Sequence, residues 1–438
     1  MPAQAHSLKL ALAALLTAAV LLGGGGVAYG LFNLSVQFVA LIVLALHREH
    51  FFAFWHRAPP GLRALAAVTI AVPVLAIVPL PPEVWTRLPG RELAVEVLKA
   101  AGGTDWRPFS LDPGRTLVAA VGLIVPLTVL TLGWRLPRRE LLWLGWLMVA
   151  LGLVNFLMGV PQVLSNGDWG LIYPENPMPG VLFGSFANRN SAGLFLVACV
   201  ILLMLLPPLR PQPWFAGLRI GGFAVLAIGV VLTGSRSAMA LAAIALLLGL
   251  LIWMRARQWS AIRPRTLVLG AVAVAAMGVA TVAVLPASRA QVSFDRFALT
   301  DDARAFIWED AAWSVRRYWP VGAGMGTFDE VFQADESLEN LTERRAGRAH
   351  NDYLEVAVEA GLPGLLLIAG WMALISWRSF AARQRPNRKT AWAGSAVLFA
   401  IALQSLVDYP LRNQALLALA ALALVLLMRF GMSEERGR

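Results

Sequence analysis

Long apolar runs alternate with short polar connections along nearly the whole chain, the pattern of helices that cross a hydrocarbon layer. Twelve such spans are predicted, near 9–31, 33–46, 64–80, 116–133, 141–160, 191–207, 220–233, 237–254, 266–285, 362–377, 391–406 and 414–428. The pattern defines an all-α, polytopic membrane protein, a single integral membrane domain over 1–438. Three connections are long enough for structure of their own: 81–115, 161–190 and 286–361. In the first, the spacing predicts a short amphipathic helix at 91–100 lying on the bilayer surface. In the largest, a second amphipathic helix at 301–319 sets Phe306, Trp308, Ala312, Trp313 and Val315 among Asp, Glu and Arg. A third short helix, 351–360, ends at Gly361-Leu362-Pro363-Gly364, where Pro363 enters the first turn of the next span.

Composition agrees with this reading: of 438 residues, 58% are hydrophobic and 14% charged. Charge then orients the spans. With a cytoplasmic N-terminus, the inside loops and Lys9 hold 21 of the 37 Lys and Arg but only four of the 26 acids. The net +11 divides into +17 inside and −6 outside, as the positive-inside rule requires. Both termini are thus expected in the cytoplasm and the three long loops outside, so 286–361 is a large outward loop containing short helices. The same segregation accounts for the basic balance without nucleic acid. The run Arg383 to Lys389 reads as a juxtamembrane stop signal. Cys199 is the lone cysteine and lies in an apolar span, which excludes a disulfide framework and a thiolate metal site. Residues 9–31 have the look of a signal peptide, and an uncleaved first helix is expected. Gly322-Ala323-Gly324-Met325-Gly326 resembles the start of a dinucleotide fingerprint, but no βαβ unit surrounds it. Neither a repeat of fixed period nor matched broken helices mark a transporter.

Short inside loops leave the outward helix ends as the place for chemistry. Arg189 lies in Asn188-Arg189-Asn190-Ser191, just before the sixth span. Arg236 lies in Thr233-Gly234-Ser235-Arg236-Ser237, the tight turn between the seventh and eighth. Guanidinium forks bind phosphate oxygens bidentately, and helix N-termini beside them add backbone donors. Such a pair suits a diphosphate at the interface; the bland alternative is a snorkelling or capping arginine. Arg412, in the tight turn Asp408-Tyr409-Pro410-Leu411-Arg412, is a third candidate, with a plain Asp408–Arg412 pair as its alternative. His350 opens His350-Asn351-Asp352-Tyr353-Leu354-Glu355 and is the only one of five histidines on the outward side. Histidine is the side chain that accepts a proton near neutral pH. On the helix behind it, Asp352, Glu355 and Glu359 form one stripe, which either faces water or meets a cation. Glu359, nearest the membrane, needs such a partner to stay charged.

Three strings, Ser185-Phe186-Ala187-Asn188-Arg189-Asn190, Gly234-Ser235-Arg236-Ser237 and His350 through Glu355 to Glu359-Ala360-Gly361, together resemble the O-antigen ligase/polymerase superfamily in order and spacing. The resemblance spans about 180–415. It implies a bacterial inner-membrane glycosyltransferase with a periplasmic active site, in lipopolysaccharide or cell-surface polysaccharide biosynthesis. Its donor would be a glycan on undecaprenyl diphosphate and its acceptor a lipid A-core or glycan hydroxyl. By position, Arg189 and Arg236 would hold the diphosphate and His350 would act as general base or positioning group. Arg412, Asn188, Asn351, Tyr353 and Glu359 are the further candidate substrate-binding positions. The resemblance implies inversion at the anomeric carbon, with no metal and no cofactor. The chain departs from some relatives at Gln404, where they carry histidine before a Ser-Leu-Val-Asp stretch. Two reactions stay open: a ligase moving a finished glycan onto lipid A-core, or a polymerase joining repeat units. A polysaccharide transporter or lipid flippase is the alternative from another class, which the near absence of mid-membrane charge disfavours.

Overall fold

The computed structural model describes residues 2–26, 29–103, 105–165, 167–173, 178–209, 212, 214–255, 304–341 and 345–432. These are mostly helical. The helices are α1 (Pro2–Leu22), α2 (Gly30–Leu46), α3 (Arg48–Arg57), α4 (Pro60–Ala76), α5 (Pro82–Trp85), α6 (Glu92–Ala100), α7 (Pro113–Gly122), α8 (Ile124–Gly133) and α9 (Arg138–Leu164). There follow α10 (Arg189–Leu205), α11 (Phe215–Leu232), α12 (Arg236–Arg255), α13 (Arg304–Tyr318), α14 (Phe328–Phe332), α15 (Asp352–Ala381), α16 (Arg388–Gln404) and α17 (Gln414–Gly431). One short antiparallel ladder joins Pro79–Leu80 to Arg107–Pro108.

By length and composition, six helical stretches are able to cross a membrane: Ala5–Leu22, Pro113–Gly133, Arg138–Leu164, Phe215–Leu232, Asp352–Gln384 and Gln414–Gly431. A seventh arises if α2 and α3, bent by 79°, count as one broken span. The twelve expected spans are therefore only partly matched among the described residues. Physical length explains most of the difference. The apolar helices α4 and α10 have 17 residues each, about 25 Å of helix against a hydrocarbon core of about 30 Å. The span expected at 266–285 lies outside the described residues, as do 286–303 of the large loop and the start of its 301–319 helix. The connection expected at 47–63 is instead largely α3.

α10 and α17 form the centre of the bundle. Thirteen of the 17 residues of α10 are buried, and most of α17 is enclosed as well. Small residues let their neighbours approach: a Cβ on Gly394 of α16 would lie 2.2 Å from the Ala423 carbonyl of α17. Many large apolar side chains on the outer helices, such as Leu31, Phe38, Leu157 and Leu366, remain exposed. A surface of that extent belongs in hydrocarbon.

The two ends of the bundle differ in chemistry. At one end basic residues are tied to helix C-termini and acids. Lys9 pairs with Glu140 at 2.9 Å, and Arg138 donates to the carbonyls of Arg429 and Met432. At the other end three helices begin on asparagine caps. Asn188 accepts from Asn190 N, Asn351 from Tyr353 N and Leu354 N, and Asn413 from Leu416 N. The chain's first helix is built into that end. Gly24 O accepts from Ala187 N and from Asn413 Nδ2, and Ser185 Oγ donates to Val20 O. Cleavage of residues 9–31 would remove all of these partners.

Candidate functional site

α15 starts at its Asn351 cap and runs one acidic segment before breaking at Gly361 (φ 55°, ψ −143°). Glycine is required there, because a Cβ would lie 2.2 Å from the Pro320 carbonyl, and Leu362 N donates to that same oxygen. The glycine turn 322–326 docks on the helix just before the break, with Ala323 N on Val358 O and Gly324 N on Glu359 O. Further backbone contacts go to Arg91, Leu111 and Thr116, so the turn is engaged within the fold. The short helix foreseen at 351–360 is the segment before the break. The amphipathic helix foreseen at 301–319 is α13, and the one at 91–100 is α6.

The acidic stripe on that segment does not face water. Asp352, Glu355 and Glu359 are buried, and one guanidinium enters among them. Arg412 Nη2 donates to Glu359 Oε2 at 2.7 Å, while its Nε lies 3.3 Å from Glu355 Oε1 and 3.7 Å from Asp352 Oδ1. Burial works against the Arg412 charge, but Glu355, Glu359 and Asp352 drive its pKa above the ordinary arginine value. Arg348 Nη1 takes the other side of Glu355 Oε1 at 2.5 Å. Asp352 Oδ2 accepts from Ser405 Oγ and Leu411 N, and Glu359 Oε1 from Phe328 N. The Asp408–Arg412 pair considered from sequence does not form. Asp408 belongs to a different group.

That group contains His350, whose Nδ1 lies 3.4 Å from Asp408 Oδ1. The contact is an ion-pair approach without hydrogen-bond geometry, since Nδ1 has no hydrogen-bond partner among the described residues. His350 is 32% exposed and Asp408 1%, so the imidazole bridges a buried carboxylate and open space. Asn188 Nδ2 reaches both Asp408 oxygens at 3.5 Å. The Tyr409 ring sits 5.0 Å from the imidazole, its phenol pKa pushed up to about 12 by burial and by Asp408. His350 is also the only non-glycine residue with positive φ among the described residues (φ 50°). That conformation costs about 1–2 kcal/mol and persists only where neighbours over-determine it.

Arg189 and Arg236 each open a helix, α10 and α12. Ser235 Oγ donates to Asn190 Oδ1 at 2.9 Å, and a Cβ on Gly234 would lie 3.8 Å from Arg189 Nη1. The Arg189 guanidinium therefore reaches across to the turn that carries Arg236. Asn188, next to Arg189, touches the same Asp408 that approaches His350. Arginines, asparagine, aspartate and histidine thus converge at one end of the bundle. The other sequence candidates fall elsewhere. Asn351 caps α15, and Tyr353 donates its hydroxyl to Ala402 O. Arg412 and Glu359 lie in the enclosed layer below. Gln404 is buried, with neither amide atom hydrogen-bonded among the described residues. Sequence reasoning gave no role in the site to Asp408, Arg348 or Glu355. A carboxylate such as Asp408 beside an apolar span was the available signal, because it needs a partner.

A helical bundle with an apolar exterior and one polar, partly enclosed end has the make-up of a membrane protein. A family model described as O-antigen ligase matches residues 221–369, which include Arg236 and His350. That match covers about a third of the chain and supports the O-antigen ligase superfamily and a ligase- or polymerase-type role in polysaccharide biosynthesis. No curated protein matches the chain.

Proposed function

We propose that the chain is a membrane glycosyltransferase that moves a glycan from undecaprenyl diphosphate to an acceptor hydroxyl, on lipid A-core for a ligase. The observation that carries this reading is the convergence of Arg189, Arg236 and His350 at one end of the bundle, linked through Asn188 and Asp408. The acceptor hydroxyl gives its proton to the imidazole edge opposite Asp408, through Nε2. Its oxygen bonds to the anomeric carbon from the face opposite the leaving group. The bond from that carbon to the diphosphate oxygen breaks, and its electron pair stays on the lipid diphosphate. Arg189, Arg236 and the helix N-termini beside them stabilise that charge. Asp408 holds the imidazolium that forms. Basic residues gathered at the opposite end support an inner-membrane orientation with a periplasmic site.

The second reading is a repeat-unit polymerase, favoured equally by the family match. Deletion of the gene, followed by gel analysis of lipopolysaccharide and secreted polysaccharide, separates the two. Loss of long glycan on lipid A-core with lipid-linked polymer accumulating supports the ligase, and loss of polymer altogether supports the polymerase. A folded His350→Ala variant that keeps full glycan transfer removes the proposed base.

A further inference from the structure

We propose that Glu355 is a positioning residue for His350, acting through the two residues that precede it. The functional consequence rests on His350 being the proton acceptor of the reading above. Glu355 is fully buried and cannot itself meet a substrate. Its two oxygens divide their work. Oε1 accepts from Arg348 Nη1 at 2.5 Å, and Oε2 accepts from Ala349 N at 3.3 Å. One carboxylate therefore grips the side chain of residue 348 and the backbone of residue 349.

The next peptide, which leads into His350, is also held, because Trp308 Nε1 of α13 donates to Ala349 O at 2.8 Å. Immediately after His350, Asn351 is fixed as the α15 cap. His350 is thus the residue between two anchored ones, and its left-handed φ is the turn that joins them. That turn aims the ring at Asp408. Arg412 holds Glu355 in place from the far side at 3.3 Å, so the buried layer fixes the imidazole without touching it. Burial opposes the Glu355 charge, but Arg412 and then Arg348 offset it with opposite charge, so the carboxylate is able to accept both bonds.

The test uses the full chain in detergent or nanodiscs and needs no substrate. Diethyl pyrocarbonate acylates unprotonated imidazole nitrogen, and mass spectrometry gives a rate for each of the five histidines. His6, His47, His50 and His56 serve as internal references. In Glu355→Gln, His350 should be labelled several-fold faster than in the parent, with the other four rates unchanged. Glu355→Asp keeps the charge but shortens the reach to Ala349 N, and should shift His350 in the same direction. An unchanged His350 rate in both variants overturns the proposal. A rise shared by all five histidines also overturns it, by assigning Glu355 to bundle stability alone. Full glycan transfer by His350→Ala would instead refute the proton-acceptor reading, while the labelling result would still locate what holds the ring.

Discussion

Replacing Arg412 by methionine keeps the apolar stem and removes the guanidinium at the centre of three buried carboxylates. Glu359, Glu355 and Asp352 stand 2.7, 3.3 and 3.7 Å from its nitrogens. Only Arg348 would remain beside them, already engaged with Glu355. Removing one partner from a buried ion pair costs about 3–5 kcal/mol, because the remaining charge is left uncompensated. A total stability of about 5–15 kcal/mol makes that a large fraction. With an unfolding entropy of about 2 cal/mol/K per residue, a chain of this length should lose about 3–5 °C of melting temperature. Intrinsic fluorescence reads this directly, since the chain has 16 tryptophans. Arg412→Met combined with Glu359→Gln should recover part of the loss, because one of the stranded carboxylates is then neutral. Unchanged melting of Arg412→Met together with weakened inhibition by inorganic diphosphate would refute this reasoning and put Arg412 in the substrate site.

Arg189→Lys and Arg236→Lys keep a point charge but lose the bidentate fork. Each should raise the apparent constant for inhibition by inorganic diphosphate less than the alanine variants, which should raise it about 10-fold or more; no effect of either alanine variant removes the diphosphate assignment. Asn188→Ala deletes the α10 cap and the contact to Asp408, and should cost about 1 kcal/mol of stability in denaturant or thermal unfolding. Gly361→Ala forces a side chain into a positive-φ position against the Pro320 carbonyl; its melting temperature should fall, and a parent-like value would show that the break in α15 is not sterically imposed.

Local features were legible in the sequence. Gly361 before Pro363 marked the break in α15, because backbone freedom acts over a few residues. The amphipathic spacing placed α6 and α13 for the same reason. Partners far along the chain were not legible. The stripe of Asp352, Glu355 and Glu359 has the spacing of a solvated face. It is buried because Arg412 returns to it from 53 residues beyond Glu359. Asp408 and Arg412 share a turn and look paired, yet each points to a different group, since the turn presents their side chains to opposite neighbours. Span counting exceeds the long helices of the described residues where apolar runs are short, as in α4 and α10, a length that neighbouring helices tolerate.

The join between Gly24 and Asn413 has a consequence for how the protein is made. These partners are 389 residues apart, and at about 5–20 residues per second the ribosome needs about 20–80 s to deliver the second after the first. Ala187 reaches the glycine stretch after the first helix part-way through that interval, but Asn413 closes on it only at its end. The arginine and histidine segments are synthesised inside the same window, so their surroundings are incomplete until α17 inserts. Assembly of the polar end is thereby timed to the arrival of α17. A nascent or prematurely halted chain is left without the scaffold on which sugar transfer would depend.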